Sequence, residues 1–413
     1  MKVLQINNYH YLRGGSETVY LETSQLLEDN GHKVIHFSVS DVESLDSKTK
    51  KYFVKPHHYM GGSLLDRLFS IPKFLYSNEA STKLDLLLSK EKPDIVHLHI
   101  FYARLTSSIL PVLKKHNVPV VMTLHEHRLM CPTSLFMDSE NNICEKCANG
   151  NYLHCIKKRC NKGSLPFSII SALEAKFRDL FFPYENYINS FIAVSDFSLN
   201  KHSQYKGWST SKLSRIYNFV DINKYHFVNN HKDRSQYLYF GRLSKEKGIL
   251  TLFRAWTNFP DLELIVVGEG DQRAELEQFI VEHKITNITL TGFLSGSELK
   301  ERVVNSKFVI LPSECYENNP LTVIESFAYG VPVIGANIGG IPELILDCNL
   351  LFNSRDEASL VKAIIYSQGL SYSSYKIISE DVRNFVEDYC NAGAYYNQLI
   401  NIYSNLLTLS HEK

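Results

Sequence analysis

The sequence predicts an α/β fold with two doubly wound parallel sheets, each in its own domain. Short apolar runs of strand length alternate with stretches of helical periodicity, as is typical of buried parallel strands joined by helices. The alternation restarts after a polar segment at about 221–235. The chain of 413 residues is also longer than one compact core usually accommodates. We therefore expect two Rossmann-like domains that face each other across a cleft.

The first half begins with a strand and a glycine turn. Residues 3–6 are mostly apolar, Gly14 and Gly15 follow, and a helical pattern over 17–30 ends at Gly31. The same alternation predicts further strands at 34–38, 94–99, 118–124, 190–194 and 212–217, with helices at 83–90 and 105–116. These elements define a first domain at 1–219, with a cysteine-rich insertion near 131–160.

The second half repeats the pattern. The predicted strands lie at 236–240, 263–268, 288–291, 308–311 and 333–335. The predicted helices lie at 249–257, 273–283, 299–305, 321–329 and 359–368, with a last helical stretch from about 380. We expect a second domain at 220–385 and a C-terminal helix at 386–413.

Charge is balanced over the whole chain but not between its halves. Residues 1–219 carry 27 Lys and Arg against 20 Asp and Glu, a net of +7, and the remainder carries 17 against 24, a net of −7. A basic first half favours anionic partners such as phosphates or an anionic membrane surface, although chance explains it nearly as well. No nucleic-acid partner is expected.

Apolar runs in this chain are short. None approaches a membrane span, and the run at the N-terminus is too short for a signal peptide. We expect a cytoplasmic protein, with at most peripheral contact at the inner face of a membrane. Residues 52–80 are aromatic and basic, and they are interpreted either as an insertion that rests on a membrane or as a lid or packing loop.

Two glutamates flank a predicted helix start in the second half. Asn319 fits the N-cap, Pro320 fits the first helical position, and Leu321 follows. Glu317 then lies just outside the helix and Glu325 within it. Because a helix N-terminus presents N–H groups and partial positive charge, it suits a phosphate or diphosphate. The two carboxylates can then bind the hydroxyls of a sugar nucleotide, unless they are simply solvated.

A second loop in this half carries cations. Residues 241–248 follow a predicted strand and open a helix, which places Arg242 and Lys247 at the top of the sheet. A guanidinium and an ammonium together can neutralise a diphosphate, although both are also ordinary on a solvated loop. Gly268 lies in a Gly-Glu-Gly step that lacks a third glycine, so we interpret it as a tight turn at a nucleotide pocket.

The first half contributes a glycine and a histidine. Gly15 follows the first strand, where a backbone without a Cβ allows close approach of an anionic ligand. His125 follows the strand at 118–124 and is expected to project into the cleft. Most lone histidines are structural, but this position favours a functional role, either on a sugar hydroxyl or in the stabilisation of charge.

Five of the eight cysteines lie within residues 131–160. The spacing predicts a structural zinc site formed by Cys144, Cys147, Cys155 and Cys160, because the first two are separated as in many zinc sites. Two alternatives stay open: an iron–sulfur cluster, and reduced cysteines that pack the loop.

Several segments in this order resemble glycosyltransferase family 4, whose members have the GT-B fold. They are residues 12–17, 123–126, 241–248, 317–325, 330–334 and 338–343. The resemblance covers nearly the whole chain. The family usually has a Gly-Phe-Gly type run after the first glutamate, whereas this chain has Asn318, Asn319 and Pro320. The identity of the sugar is therefore left open.

The resemblance implies a retaining transfer of a sugar from a nucleotide diphosphate sugar, expected to be a UDP-sugar. The acceptor would be a saccharide or lipid-linked saccharide in surface polysaccharide biosynthesis. No catalytic cofactor is expected, because the Arg–Lys pair supplies the positive charge. The resemblance also implies that the first domain binds the acceptor, that the second binds the donor, and that the final helix crosses back to the first domain.

The resemblance assigns roles to individual residues. Arg242 and Lys247 would hold the diphosphate, Glu317 the sugar hydroxyls and Glu325 the ribose. His125 would lie beside the sugar, and Gly15 would approach the donor phosphate or the acceptor. Two other functions remain: another GT-B enzyme such as a nucleotide-sugar epimerase, or a non-catalytic sugar-nucleotide-binding partner.

Overall fold

The computed structural model describes residues 1–56, 72–204, 212–227 and 234–411, with side chains placed to residue 409. The chain forms two compact units. The first comprises Met1–Ile216 and Tyr396–Lys413, and the second comprises Tyr217–Tyr395. The chain thus leaves the first unit ahead of the polar segment at 221–235 and rejoins it within its last helix.

The first unit contains a parallel sheet. Its strands are β1 (Lys2–Ile6), β2 (Lys33–Phe37), β3 (Ile95–Leu98), β4 (Val120–Leu124), β5 (Ser190–Ala193) and β6 (Leu213–Arg215). They are ordered β2-β1-β3-β4-β5-β6. The order reverses between β1 and β3, so the carboxyl ends of these two strands form a topological switch point, where ligands of doubly wound sheets usually bind.

The helices of the first unit connect and cover these strands. They are α1 (Gly15–Asp29), α2 (Asn78–Glu91), α3 (Ile109–Lys115), α4 (Leu153–Lys157), α5 (Leu165–Phe181) and α6 (Asp196–Ser203). Central strands are buried on both faces, and all residues of β3 and β4 are buried. Such strands need apolar residues at consecutive positions, which explains the runs seen in the sequence.

The second unit repeats the architecture. Its strands are β7 (Gln236–Phe240), β8 (Leu264–Val267), β9 (Ile288–Gly292), β10 (Ser306–Leu311), β11 (Val333–Ala336) and β12 (Leu351–Phe352). They are parallel and ordered β12-β11-β10-β7-β8-β9. The switch point of this sheet lies between β7 and β10, so the loops that follow these two strands are adjacent.

The helices of the second unit follow its strands. They are α7 (Ile249–Trp256), α8 (Arg273–Glu282), α9 (Gly296–Asn305), α10 (Leu321–Ala328), α11 (Glu357–Gly369) and α12 (Tyr372–Tyr389). The last helix, α13 (Ala392–His411), spans the boundary between the two units. Trp256 of α7 is fully buried in the core of the second unit, where it stacks edge-on against Tyr237 of β7.

The two-sheet α/β prediction is confirmed, and most predicted elements occur within a few residues of their expected bounds. Among the described residues, the helices α4, α5 and α6 and the strand β12 were missed, and the helical stretch predicted from about 380 begins earlier, as α12 at Tyr372. The helix predicted at 105–116 begins only at Ile109, because Thr106 adopts a positive φ of 62° that is incompatible with a helix.

Two predictions concern the membrane. Among the described residues, no helix is both long and apolar enough to cross one. Much of the aromatic and basic segment at 52–80 lies outside the described residues, which resume at residue 72.

Candidate active site

The switch point of the second unit brings two loops together. The loop after β7 contains Arg242 and Lys247, and the loop after β10 contains Glu317. The backbone N–H of Glu314 donates to the carbonyl of Glu246 at 2.8 Å and joins the two loops directly. Lys247 and Glu317, which are 70 positions apart in the chain, therefore lie in one cluster at the carboxyl edge of the sheet.

Lys247 and Glu317 form a largely buried ion pair. The ammonium Nζ lies 2.6 Å from the carboxylate Oε1, and the side chains are 21% and 14% exposed. Ser313 donates its hydroxyl to the same oxygen at 2.7 Å. Burial alone would raise the pKa of Glu317, but Lys247 and the Ser313 hydrogen bond hold that pKa below its usual value. Both groups are therefore charged near neutral pH.

The ion pair leaves Lys247 capacity for a ligand. Burial would lower the pKa of Lys247, but the charge of Glu317 outweighs it and the pKa is raised. An ammonium has three N–H donors, of which Glu317 uses one. Lys247 can thus bind a phosphate oxygen while it orients the carboxylate.

Arg242 supplies a second cation in the same loop. Its Nη2 lies 3.3 Å from Oε1 of Glu246, and its side chain is 66% exposed. An exposed guanidinium with one weak ion pair retains donors for a bidentate contact with phosphate oxygens.

Two glycines allow the backbone around this cluster to pack closely. Gly248 has a φ of +69°, and a Cβ there would lie 2.0 Å from the carbonyl oxygen of Pro312. Gly339 has a φ of +63°, and a Cβ there would lie 2.4 Å from the carbonyl oxygen of Glu317. That carbonyl accepts a hydrogen bond from the N–H of Gly340 at 2.7 Å. The loop after β11 therefore fixes the backbone of Glu317.

Gly268 follows β8 at the same edge of the sheet. Its φ is +144°, and a Cβ there would lie 1.8 Å from the carbonyl oxygen of Gly241. The loops after β7 and β8 therefore pack directly against each other, which agrees with the tight turn expected at Gly268.

The predicted cap of α10 is wrong by one residue. The helix begins at Leu321, and Pro320 occupies the cap position with extended backbone. The Asn319 side chain does not cap the helix, because its Oδ1 accepts the backbone N–H of Asn218 at 2.8 Å. Asn218 returns a bond from Nδ2 to the Asn319 carbonyl, also at 2.8 Å. Two hydrogen bonds to Asn218 thus fix the position of Asn319 within the second unit.

Glu325 lies within α10 as expected and is partly buried. It is not part of the Lys247–Glu317 ion pair. Its negative charge contributes to the raised pKa of Tyr329, after burial of that phenol. Glu317 and Glu325 therefore occupy different environments, one paired with a cation and the other along the helix.

The first unit places its predicted residues around its own switch point. Gly15 is the first residue of α1, and the preceding Gly14 is extended with a φ of −167°. His125 directly follows β4. Burial lowers the pKa of His125 to about 4, so its ring is neutral near pH 7.

Two carboxyl groups close to these residues in the chain, those of Glu17 and Glu126, have raised pKa values. Glu17 in the first turn of α1 is buried and interacts with Asn7 and Ser16. Burial raises the pKa of Glu17 and of Glu126, and the charge of Glu17 contributes further to the shift of Glu126. Raised carboxyl pKa values are common where acid–base chemistry or hydroxyl binding takes place.

The predicted zinc ligands lie in a cysteine-rich loop and helix. Cys147 and Cys155 are buried, and Cys160 packs against them in an apolar cluster with Ala172 and Ala175. A hydrogen bond to Cys160, together with burial, raises the pKa of Cys155, and burial raises that of Cys147 to about 12. Among the described residues, no group of three or more His, Cys, Asp or Glu side chains is placed to hold a metal ion.

The zinc site, with Cys144 as its fourth ligand, stays a prediction.

Sequence reasoning missed the partners of the site residues. Ser313 binds Glu317, and His99 at the end of β3 bonds to His125 at 2.8 Å. The pattern His97-Leu98-His99 at a strand end was the available signal for the second pair, because alternate residues of a strand face the same side.

Comparison with known proteins identifies the family. The profile described as Glycosyltransferase Family 4 matches residues 13–224, and the profile described as Glycosyl transferases group 1 matches residues 221–368. The chain belongs to glycosyltransferase family 4. This glycosyltransferase is 25% identical over 336 residues to an uncharacterised glycosyltransferase of Methanocaldococcus jannaschii, a match that covers 76% of this chain and 75% of the relative.

Solved structures share the fold of this family 4 glycosyltransferase. HepE of Anabaena in complex with UDP and glucose superposes with a TM-score of 0.67 at 17% identity, over 98% of this chain and 100% of HepE. Sucrose-phosphate synthase of Thermosynechococcus elongatus superposes with a TM-score of 0.71 at 17% identity, over 99% of each chain. The GT-B fold predicted for this chain is thereby confirmed.

Proposed function

We propose that this glycosyltransferase transfers a sugar, with retention of anomeric configuration, from a nucleotide diphosphate sugar to a saccharide or lipid-linked saccharide. The observation that carries the proposal is the Lys247–Glu317 ion pair at the switch point of the second sheet. A cation that is fixed by a carboxylate, beside the exposed guanidinium of Arg242, suits a diphosphate leaving group whose sugar hydroxyls contact the carboxylate.

We assign complementary roles to the cationic and the anionic residues of the site. Arg242 and Lys247 stabilise the negative charge that develops on the diphosphate as the glycosidic bond breaks. Glu317 binds hydroxyls of the donor sugar, and its low pKa keeps it an acceptor near pH 7. Glu325 contacts the ribose, and His125 contacts the sugar. This arrangement needs no catalytic metal, because the two side-chain cations supply the charge.

UDP is the first nucleotide to test. HepE of Anabaena, which shares the fold, has been solved with UDP and glucose bound. The acceptor class is motivated by the net charge of +7 on residues 1–219, which suits an anionic lipid surface. Binding of the full chain to anionic vesicles at low salt is expected, and no binding would contradict a lipid-linked acceptor.

Stereochemistry tests the proposal. The wild-type protein and Glu317→Gln are incubated with UDP-α-glucose, other nucleotide sugars being substituted if UDP-glucose is not a donor. In the absence of an acceptor, water takes the acceptor's place, and NMR spectroscopy follows the anomer of the released sugar before it mutarotates.

We expect slow release of the α-anomer by the wild type and a loss of at least about tenfold in Glu317→Gln. Initial release of the β-anomer would contradict retention. Turnover of the nucleotide sugar to an epimer, without hydrolysis, would favour the epimerase alternative.

A further inference from the structure

A row of buried polar side chains runs through the first unit behind His125. The backbone of β1 lies between β2 and β3, and the register pairs Gln5 with His36 on one side and with His97 on the other. His99 follows β3 directly. Gln5, His97 and His99 are each 0% exposed. Most buried polar groups are hydrogen-bonded, and the bonds that these rings make define the protonation state of each ring nitrogen.

The hydrogen bonds connect Gln5 to His125 through His99. Nε2 of His99 lies 2.7 Å from Oε1 of Gln5, and Nδ1 of His99 lies 2.8 Å from Nε2 of His125. The rings of His99 and His125 are stacked, with centroids 5.1 Å apart and an interplanar angle of 18°. Both bonds and the stacking restrict the orientation of the His125 ring.

The direction of each bond follows from the acceptor at the end of the row. An amide oxygen can only accept, so Nε2 of His99 carries the proton. A neutral imidazole has one protonated nitrogen, so Nδ1 of His99 carries a lone pair and accepts. The proton between the two rings therefore belongs to Nε2 of His125, and Nδ1 of His125 is its basic nitrogen.

The Gln5 side chain also lies beside the neighbouring strand β2. Gln5 and His36 are register partners on β1 and β2, so their side chains share one face of the sheet. Nε2 of Gln5 and Nε2 of His36 are both buried without a protein hydrogen-bond partner among the described residues, so no hydrogen bond joins the two side chains through these nitrogens. The direction of the row therefore rests on the bond between Nε2 of His99 and Oε1 of Gln5.

We propose that His99 and Gln5 are positioning residues that hold His125 in the tautomer with its proton on Nε2. This inference rests on the proposed role of His125 beside the donor sugar and extends it to specify which nitrogen is basic. A sugar hydroxyl can donate to that nitrogen, and burial keeps His99 and His125 neutral near pH 7, since it lowers the pKa of both rings. The bonded partner of an imidazole commonly sets its tautomer in this way.

NMR spectroscopy of the full chain labelled with ¹⁵N-histidine tests the tautomer directly, because protonated and unprotonated imidazole nitrogens have well-separated shifts. His125→Asn assigns the His125 signals by their disappearance. In the wild type at pH 7 we expect a protonated Nε2 and an unprotonated Nδ1. The opposite tautomer, or a mixture of both, would overturn the proposal.

Two substitutions at position 99 separate the hydrogen bond from packing. His99→Phe preserves a stacked ring without an acceptor, so His125 should lose its single tautomer. His99→Asn can offer an amide oxygen near the position of Nδ1, so His125 should keep its single tautomer in this variant. If either variant fails to fold, Gln5→Met removes the acceptor at the other end of the row and should produce the same loss of a single tautomer as His99→Phe.

His97→Phe is the matched control. His97 is equally buried and stacks on His99 at 4.4 Å, but its nitrogens bond to Tyr403 and Thr123. The His97→Phe substitution should therefore leave the tautomer of His125 unchanged. An unchanged His125 tautomer in both His99→Phe and Gln5→Met would contradict the positioning role.

Ligand affinity adds a second readout. His99→Phe should weaken binding of UDP-glucose by about tenfold while UDP affinity changes by less than about twofold, because the sugar is the part that His125 contacts. Equal loss for both ligands would indicate general structural damage and contradict the role. If the wild type binds neither ligand, the proposed function fails for this donor, whereas the NMR result still decides the tautomer.

Discussion

At the scale of single residues, Lys247 and Glu317 form a largely buried ion pair, for which we propose a role in donor binding. Each would be costly to bury alone, and each stabilises the charged form of the other. Ser313 and the N–H of Gly340 fix the side chain and the backbone of Glu317, respectively. The carboxylate is therefore oriented before a ligand binds, which reduces the entropy lost on binding.

Glu317→Gln is expected to destabilise the second unit by about 2 kcal/mol, because the Lys247 ammonium loses its charged partner. Urea unfolding at pH 7 measures this loss. Glu269→Gln is the matched control, because Glu269 also lies 2.6 Å from its partner, Arg273, but is 53% exposed. We expect a loss below about 0.5 kcal/mol there. Equal losses would contradict a buried pair.

The effect of Glu317→Gln also depends on pH. The pKa of Glu317 is lowered in the folded state, so the stabilisation is fully present above the unfolded pKa of the carboxyl. It is lost as the pH falls through the folded pKa. The difference in stability between wild type and Glu317→Gln should therefore shrink in acid and stay constant between pH 6 and pH 8.

At the scale of elements, several histidines of the first unit are buried in or near strands β1 to β4. Burial lowers the pKa of His10 and His125 to about 4, and that of His36 and His97 to about 3. The unfolded chain takes up protons on these residues near pH 6.5, before the folded chain does. Stability should therefore fall as the pH drops from about 6.5 towards 4.

Urea unfolding at pH 7 and pH 5 measures this acid sensitivity. His97→Phe should reduce this acid sensitivity, because one buried ring no longer titrates. Wild-type stability that is independent of pH over this range would show that the histidines are not buried as neutral rings.

The cysteine-rich segment at 131–160 contains thiols that differ in burial, so substitutions at two of them can be compared. Cys155 is buried in the apolar cluster and Cys144 is only partly buried. If the thiols only pack, Cys155→Ser should cost about 1–3 kcal/mol, since it buries a hydroxyl, and Cys144→Ser less than about 0.5 kcal/mol. Thermal unfolding with and without a chelator, and metal analysis of the purified protein, complete the test.

Unequal losses in the two variants, with no effect of the chelator, would support thiols that only pack. Equal losses in both variants, bound zinc and a melting temperature lowered by chelator would support the four-cysteine site instead.

Elements were predicted well where local sequence determines them. The strand Leu264–Val267 is an unbroken apolar run because both of its faces are buried. By contrast, β12 has two residues and gives no periodic signal. The N-cap of α10 was misassigned because Asn319, a good N-cap residue, bonds instead to Asn218, which lies 101 positions away. Local patterns contain no information about such a partner.

At the scale of the whole molecule, the chain forms two doubly wound parallel sheets, and in each the strand order reverses beside the first strand of that unit. In each sheet the predicted functional residues follow strands at or beside the switch point: Gly15 and His125 in the first, and Arg242, Lys247 and Glu317 in the second. The sequence could place these residues at strand ends, because motif and strand are adjacent in the chain. It could not reveal the hydrogen bond of Glu317, whose partner Ser313 acquires its role only in the folded sheet. For His125, the alternating histidines at the end of β3 were a signal, but not one that names His99 as the partner.

The most direct test of the central claim is a thermal-shift titration with UDP-, GDP- and ADP-sugars. It compares wild type, Arg242→Gln and Arg254→Gln. Both arginines are exposed, at 66% and 53%, so neither substitution should alter the melting temperature without ligand. We predict that at least one nucleotide sugar stabilises wild type and Arg254→Gln in proportion to its concentration over its Kd, and that Arg242→Gln loses most of this stabilisation. No shift with any nucleotide sugar, or an equal shift in all three proteins, would contradict donor binding at the Arg242–Lys247–Glu317 site.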